Sequence, residues 1–348
     1  MSSSHRTLQP PSVSLWRQAL QRFVDVIPHT QALGMRVVAV DASGVTLYLP
    51  GGAELCGDRS RSLVHSGVLS VLLDTACGAS VLPALPSPEV CPTLDLHISH
   101  RRPACQGASL WVRAEVEAIT DSVVFTEARA WQHEGQVVAC ARGHFARLGP
   151  RNTPAGFAEA MFAGLVEDEG DPLIEEKAPV GDAASVAIAS APHESVSGLL
   201  ERGRASGEIN AWLGEVPYAD FIGVKEDSDE RGRRFVLETR PHNVGNPMLP
   251  ALHGGVVSAF LETAAALDTL AQTREPRLPR LVNVTVDYLS SAGVKPTYAR
   301  CRLVREGRRM ANVEARAWQD DEDAPVARAR LTYVLGAPAQ VRAGPGSL

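Results

Sequence analysis

Residues 253–267 read His253-Gly254-Gly255-Val256-Val257-Ser258-Ala259-Phe260-Leu261-Glu262-Thr263-Ala264-Ala265-Ala266-Leu267. After the glycines nearly every position is small or apolar, so a helix here is expected to be buried over most of its circumference. One carboxylate, Glu262, sits in its middle. The same pattern occurs earlier as His65-Ser66-Gly67-Val68-Leu69-Ser70-Val71-Leu72-Leu73-Asp74-Thr75-Ala76. In each copy an acid follows the histidine by nine positions (262 − 253 and 74 − 65), and the copies are offset by 253 − 65 = 188. That offset is more than half of the 348 residues. Solenoid repeats run at roughly 20–50 residues, so this period predicts two whole domains in tandem.

The match extends outward from the helix. Ile27-Pro28-His29 with Leu33-Gly34-Met35 corresponds to Val216-Pro217-Tyr218 with Ile222-Gly223-Val224, and Trp131 corresponds to Trp318. Apolar spacing predicts a packing helix over 13–26 that stops before Pro28, and a hairpin around Asp41-Ala42-Ser43-Gly44. After the apolar helix at about 66–82, alternating runs follow around 94–98, 110–116, 123–132 and 136–147 with no helix between them. The sheet should therefore be antiparallel. The second copy repeats this order: a helix over 194–213, a hairpin near 221–239, the apolar helix at about 254–271, and strands near 281–290, 297–306, 309–319 and 324–335. The expected units are 13–148 and 194–337. Residues 149–193, with a short amphipathic piece at 157–166 and the acidic run Glu167-Asp168-Glu169-Gly170-Asp171-Pro172, read as a linker that is partly helical or mobile.

Composition sets the class. Hydrophobic residues make up 45% and charged residues 21%, as in an ordinary globular protein, and the net charge of −6 argues against a dedicated nucleic-acid or anionic-membrane surface. The first eleven residues lack the apolar core of a signal peptide, and no apolar run reaches the ~18–20 residues needed to span a bilayer. A cytoplasmic location is expected. The cysteines Cys56, Cys77, Cys91, Cys105, Cys140 and Cys301 show no metal-finger spacing. They read as buried small apolar residues, with Cys56, in a loop beside the helix entrance, the expected exception. No metal or cofactor is implied.

Asp74 and Glu262 are mid-helix acids among Leu, Val and Ala, where an unpaired carboxylate is costly. A neighbouring hydroxyl or backbone group could satisfy each, and common ancestry could preserve both. Helix geometry adds a constraint: nine residues at about 100° each leave histidine and acid roughly 180° apart on one helix. A site using both must take its histidine from one copy and its acid from the other, giving His253 with Asp74 and His65 with Glu262. Gly254-Gly255 leaves backbone N–H groups bare at a helix N-terminus, where an oxyanion would be stabilised, although glycines there also serve close packing. Ser66 replaces the first glycine in the other copy.

Taken together, His-Gly-Gly, an apolar helix with an acid nine residues on, an alternating strand and a late Gly-Arg turn resemble the hotdog-fold acyl-CoA thioesterases of the phenylacetyl-CoA thioesterase (PaaI-like) type. The resemblance covers both copies, about 250 residues in all. It implies an α+β fold of two tandem hotdog domains, each a long central helix wrapped by a curved antiparallel sheet, forming an internal pseudo-dimer and leaving further homo-oligomerisation open. It implies an acyl-CoA substrate and thioester hydrolysis, with Asp74 as base or nucleophile and the Gly254 N–H as oxyanion donor. His253 and Asn246, the latter in Asn246-Pro247-Met248, would orient the carbonyl and Thr93 a water. Carried to the other crossed site, the family pattern gives Glu262, His65 and Ser66, with Asp58 or Arg59 at the Asn position and Leu281 at the hydroxyl position, which implies a degenerate site. Arg101-Arg102-Pro103-Ala104 and Gly307-Arg308-Arg309 resemble family segments, the first of them reaching the CoA phosphates, so Arg101, Arg102, Arg308 and Arg309 are the expected CoA contacts. Two alternatives stay open: a hotdog hydratase or dehydratase, which Asn246-Pro247-Met248-Leu249-Pro250 ahead of Glu262 faintly resembles, and an acyl-CoA-binding protein without catalysis.

Overall fold

The computed structural model describes residues 11–167, 210–246, 248, 250–273 and 277–336. The expected linker beyond residue 167 and most of the expected helix over 194–213 lie outside the described residues; Asn210–Leu213 is helical.

Two 19-residue helices form the centre, Ser66–Ala84 and Gly254–Gln272. Each begins at a histidine N-cap: the His65 side chain accepts from the Gly67 N–H, and the His253 side chain from the Gly255 N–H. The helices pack on each other at the glycines. A Cβ on Gly67 would lie 2.3 Å from the Ala259 Cβ, and one on Gly255 would lie 2.5 Å from the Val71 Cα. These two contacts are related by the same offset (255 − 67 = 259 − 71 = 188), so the crossing has pseudo-twofold symmetry. Both helices are long and apolar enough to cross a membrane, but 83% of each such stretch is buried inside the protein.

Among the described residues sixteen strands accompany them: β1 Arg36–Asp41, β2 Gly44–Leu49, β3 Cys56–Asp58, β4 Leu63–Val64, β5 Thr93–His100, β6 Leu110–Ile119, β7 Val123–Trp131, β8 Val137–Ala146, β9 Val224–Asp229, β10 Gly232–Leu237, β11 Val244–Asn246, β12 Ala251–Leu252, β13 Pro279–Tyr288, β14 Thr297–Glu306, β15 Met310–Trp318 and β16 Ala327–Leu335. Twelve of them form one antiparallel sheet in the order β1-β2-β6-β7-β8-β5-β13-β16-β15-β14-β10-β9. Each half supplies six strands, and the halves meet where β5 pairs with β13. His97 lies opposite its own repeat partner Thr285 there, and its Nδ1 is 2.9 Å from the Thr285 hydroxyl, so the pseudo-axis passes between them. Two small ribbons, β3-β4 and β11-β12, stand at equivalent places beside the helix N-termini. This is the hotdog architecture twice, with the two sheets joined edge to edge.

The N-terminal helix, Val13–Val26, is capped by the Ser12 side chain and followed by a short helix at Pro28–Ala32. Cysteine burial departs from expectation. Cys56 is fully buried in β3 and Cys105 is exposed, because the loop holding Cys56 folds under the helix entrance while Cys105 lies on the turn after β5. All six thiols are free.

Two crossed candidate sites

Asp74 leaves the first central helix toward the N-terminus of the second. Its Oδ1 accepts from the Thr93 hydroxyl at 3.0 Å and its Oδ2 from the Gly255 N–H at 2.8 Å. The His253 Nδ1 lies 3.4 Å from Oδ2. The crossed pairing of His253 with Asp74 is therefore realised. Both side chains are 6% exposed.

Both ring nitrogens of His253 have partners. Its Nδ1 accepts from the Gly255 N–H at 3.0 Å, which places the ring proton on Nε2, 3.1 Å from the Thr75 hydroxyl. Burial lowers its proton affinity and the nearby Asp74 only partly offsets this, so the ring is neutral. Both nitrogens are engaged in holding the helix entrance. The Gly255 N–H is also taken, whereas the Gly254 N–H has no acceptor among the described residues. A Cβ on Gly254 would stand 2.9 Å from the Asp74 Oδ2 and 3.5 Å from the Tyr288 ring, so glycine is required for the carboxylate to approach this closely.

Asn246, at the end of β11, reaches the same cavity, and its Oδ1 accepts from the Met248 N–H at 3.0 Å. Pro247 and Leu249 lie outside the described residues. The cavity has a volume of about 520 Å³, with Phe23, Val81, Leu82, Phe145, Phe157 and Leu289 among its apolar walls. Sequence reasoning missed Tyr288, whose hydroxyl donates to the Gly254 carbonyl at 2.9 Å and helps fix the turn. Its only sequence signal was its place at the end of an alternating strand.

The other crossed site is built from the same frame with different parts. The His65 Nδ1 accepts from the Gly67 N–H at 3.0 Å and its Nε2 is 3.2 Å from the Thr263 hydroxyl, mirroring His253. Glu262, one methylene longer than Asp74, turns instead to the serines between the helices. Its Oε1 accepts from Ser70 at 2.5 Å and Ser258 at 3.0 Å, and its buried Oε2 has no hydrogen-bond partner among the described residues. Burial pushes its pKa up against the opposing pull of Ser66, Ser70 and Ser258. Subtracting 188 puts Asp58 where Asn246 stands, and the ribbons agree, since Asp58 pairs with Leu63 as Asn246 pairs with Ala251. Ser66 stands for Gly254, Leu281 for Thr93 and His100 for Tyr288. This cavity is smaller, about 240 Å³.

The arginines are placed otherwise than the sequence implied. Arg102 lines the Glu262 cavity, Arg101 is exposed next to it, and neither reaches the Asp74 cavity. The segment after β5 is tied to its own copy, the Val64 N–H bonding the Ala104 carbonyl, which sets Arg102 beside His65 rather than His253. Arg308 and Arg309, exposed on the β14–β15 turn, lie next to the start of β13. The Arg277 guanidinium donates to the Arg308 carbonyl, and the Leu335 N–H to that of Arg309. That strand end supplies Leu278 and Leu281 to the Glu262 cavity. No group of three or more metal-ligating side chains occurs among the described residues.

Comparison with known proteins agrees with the tandem architecture. Residues 62–139 match the family model described as thioesterase superfamily, and residues 245–334 match that described as acyl-CoA thioesterase N-terminal domain. The chain is 30% identical over 133 residues to VNG_1336C of Halobacterium salinarum, provisionally named an esterase, covering 36% of this chain and 88% of that one. It is 26% identical over 135 residues to the medium/long-chain acyl-CoA thioesterase YigI of Escherichia coli K12, covering 35% of this chain and 86% of YigI. A hotdog-fold protein of Alicyclobacillus acidocaldarius superposes with a TM-score of 0.52 at 14% identity, covering 89% of this chain and 97% of its own, a likeness of fold across both halves.

Proposed function

The chain belongs to the thioesterase superfamily and hydrolyses a thioester; from that premise we propose that its substrate is an acyl-CoA and that the reaction runs at the Asp74 cavity. The observation that carries this reading is the hold on Asp74. Thr93 and the Gly255 N–H fix the two carboxylate oxygens, and the Gly254 N–H stands open beside them at the end of a cavity with apolar walls. An acyl chain lies along those walls. Its carbonyl oxygen takes the Gly254 N–H at the positive end of a 19-residue helix, where charge developing on it is stabilised. Asp74 then either takes a proton from a water whose oxygen attacks the carbonyl carbon, or attacks that carbon itself to form an anhydride that water hydrolyses. In both cases the C–S bond breaks, the sulfur takes up a proton to leave as the CoA thiol, and the acyl group leaves as the free acid. His253 acts as a positioning residue: it shares the Gly255 N–H with Asp74 and so sets the helix end against the carboxylate. Asn246 lines the same cavity.

The reading extends to the finer points. The PaaI-like subtype is favoured by the His-Gly-Gly entrance and the crossed acid. Duplication of one ancestral unit is favoured by the 188-residue offset shared by the helix crossing, the small ribbons and the β5–β13 pair, with units 13–148 and 194–337 joined by 149–193; the location proposed is cytoplasmic.

The test is free-thiol release from short, aromatic and medium-chain acyl-CoAs by wild type, Asp74→Asn and Glu262→Gln. Loss of at least about 10²-fold in kcat in Asp74→Asn alone is expected, the scale for removing a group that acts on protons in the transition state. Loss confined to Glu262→Gln would move the chemistry to the other cavity.

A further inference from the structure

The Glu262 cavity lost the catalytic parts but kept, or gained, cationic ones. Arg59, Arg61, Arg102 and Arg280 line it beside the carboxyls of Asp58, Glu215 and Glu262, whereas no arginine or lysine lines the Asp74 cavity, whose carboxyls are Asp74 and Glu89. Arg61 is paired with Asp58. Arg59, Arg102 and Arg280 are exposed and make no ion pair among the described residues. Behind these cations the walls turn apolar, through Val64, Leu69, Leu267, Leu270 and Leu278. At the inner end two buried polar atoms stand unpartnered, the Glu262 Oε2 and the His100 Nε2, and Glu262 itself is 2% exposed. Protein interiors seldom leave such atoms unpaired, so these two mark a place for a ligand's polar group. A cationic mouth, an apolar barrel and a polar floor together match a ligand with a phosphate-bearing head, an acyl chain and a carbonyl.

We propose that the Glu262 cavity is a second acyl-CoA site that binds without hydrolysing, its arginines on the CoA phosphates and the Glu262 carboxyl on the thioester carbonyl. The inference rests on acyl-CoA as the substrate class and is independent of which acid carries the chemistry at the Asp74 cavity. Three departures stop turnover. Leu281 supplies no hydroxyl to position water. Ser66 carries a side chain where Gly254 has none, and its hydroxyl is engaged with Glu262. Glu262 is drawn to Ser66, Ser70 and Ser258, away from the Gly67 N–H that is equivalent to the one Asp74 holds. Burial shifts the Glu262 carboxyl toward its protonated form, which donates a hydrogen bond to a carbonyl and is the poorer base. The smaller volume, about 240 against about 520 Å³, selects a shorter acyl chain than the Asp74 cavity admits.

The experiment is calorimetric titration of the full chain with a short S-alkyl-CoA thioether, which cannot be hydrolysed, with CoA and a short-chain carboxylate titrated separately. Wild type and Asp74→Asn are each expected to bind two equivalents. The double variant Arg102→Ala/Arg280→Ala, altered only at exposed positions, is expected to weaken one of them by at least about tenfold and to lose its salt dependence. CoA alone should compete for that equivalent and the carboxylate alone should not. A single equivalent unaffected by the arginine substitutions overturns the second site and leaves the Asp74 reading intact. Equal binding of the free carboxylate overturns acyl-CoA as its ligand. If the double variant abolishes the only equivalent and Asp74→Asn still releases thiol, the Glu262 cavity is the hydrolytic one and both readings fall. If wild type binds two equivalents but releases no thiol, the second site stands and the hydrolysis reading fails alone.

Discussion

Thr93 and Leu281 occupy equivalent positions on β5 and β13 (281 − 93 = 188), and the difference between them is one hydrogen bond on the Asp74 carboxylate. Thr93→Val keeps the shape and removes the donor to the Asp74 Oδ1. A hydrogen bond to a charged group is worth about 1.5–3 kcal/mol, so kcat is expected to fall about 10- to 10²-fold with KM little changed. Steady-state kinetics that show a raised KM and an unaltered kcat would make Thr93 a binding residue instead. At this scale the sequence was legible where an apolar helix leaves an acid no neutral explanation: the nine-residue spacing and helix arithmetic predicted the crossed pair that the 3.4 Å contact of His253 with Asp74 displays. It was illegible where role depends on which atom faces which. That the His253 ring is spent on the Gly255 N–H and Thr75, or that Tyr288 clamps the Gly254 carbonyl, follows from side-chain direction and not from spacing. The cavity that Arg102 faces was illegible for a related reason. The family pattern is local, but the strand end that carries Arg102 packs against its own copy's helix entrance, so the same motif serves the opposite site.

The central helices and the alternating strands were legible because each carries a single strong period: apolar nearly all round for a helix inside a sheet, and alternation for strands buried on one face. Their predicted bounds fall within a few residues of those observed. The glycines inside the helices were less so, since a glycine at a backbone crossing and one in ordinary contact look alike in sequence. The structure separates them by what a Cβ would meet. At Gly255 it would lie 2.5 Å from the Val71 Cα, backbone against backbone, and neither helix can yield without parting the crossing. Gly255→Ala is therefore expected to cost about 1–3 kcal/mol and to pull the N–H away from Asp74, lowering activity as well. At Gly78 the nearest atom is the Phe145 ring edge at 3.5 Å, an ordinary contact, and helix propensity favours alanine by up to about 1 kcal/mol. Chemical denaturation of the two variants should show opposite shifts of midpoint. A neutral Gly255→Ala would mean that the helices do not cross where the structure places them.

Across the whole molecule the two halves are coupled by buried histidines. His29 donates from Nδ1 to the His242 carbonyl at 2.9 Å, which leaves Nε2 to accept from the Tyr218 hydroxyl at 3.1 Å. His29 and Tyr218 are repeat partners, and their rings lie 5.8 Å from His253 and 5.4 Å from His65 respectively, between the two helix entrances. Burial lowers the proton affinity of His29 and His253, and lowers those of His65 and His100 to about 4. The unfolded chain takes these protons near the usual 6.5, so the unfolded state binds more protons between about 6.5 and 4, and stability is lost as pH falls through that window. Each histidine contributes at most about 1.4 kcal/mol per pH unit. Two carboxyls act with the opposite sign. Burial raises Glu262, and raises Asp268 to about 6, so their folded forms hold protons that the unfolded chain releases and stability falls as pH rises past about 4–4.5. Four histidines against two carboxyls leave the net slope toward acid lability. The arginine-held acids, such as Asp41 with Arg113 and Asp229 with Arg300, lie below the usual carboxylate range and lose their contribution only at lower pH. Calorimetric Tm is therefore expected to climb from pH 4 to about 6.5 and then level off. Glu262→Gln removes one opposing carboxyl while keeping its shape, so its Tm should match wild type at pH 4 and exceed it progressively above pH 4.5. A Tm flat across this range in wild type, or a variant less stable at pH 7, would show that these groups meet solvent in the folded protein and that the two helix entrances are not closed around a neutral histidine core.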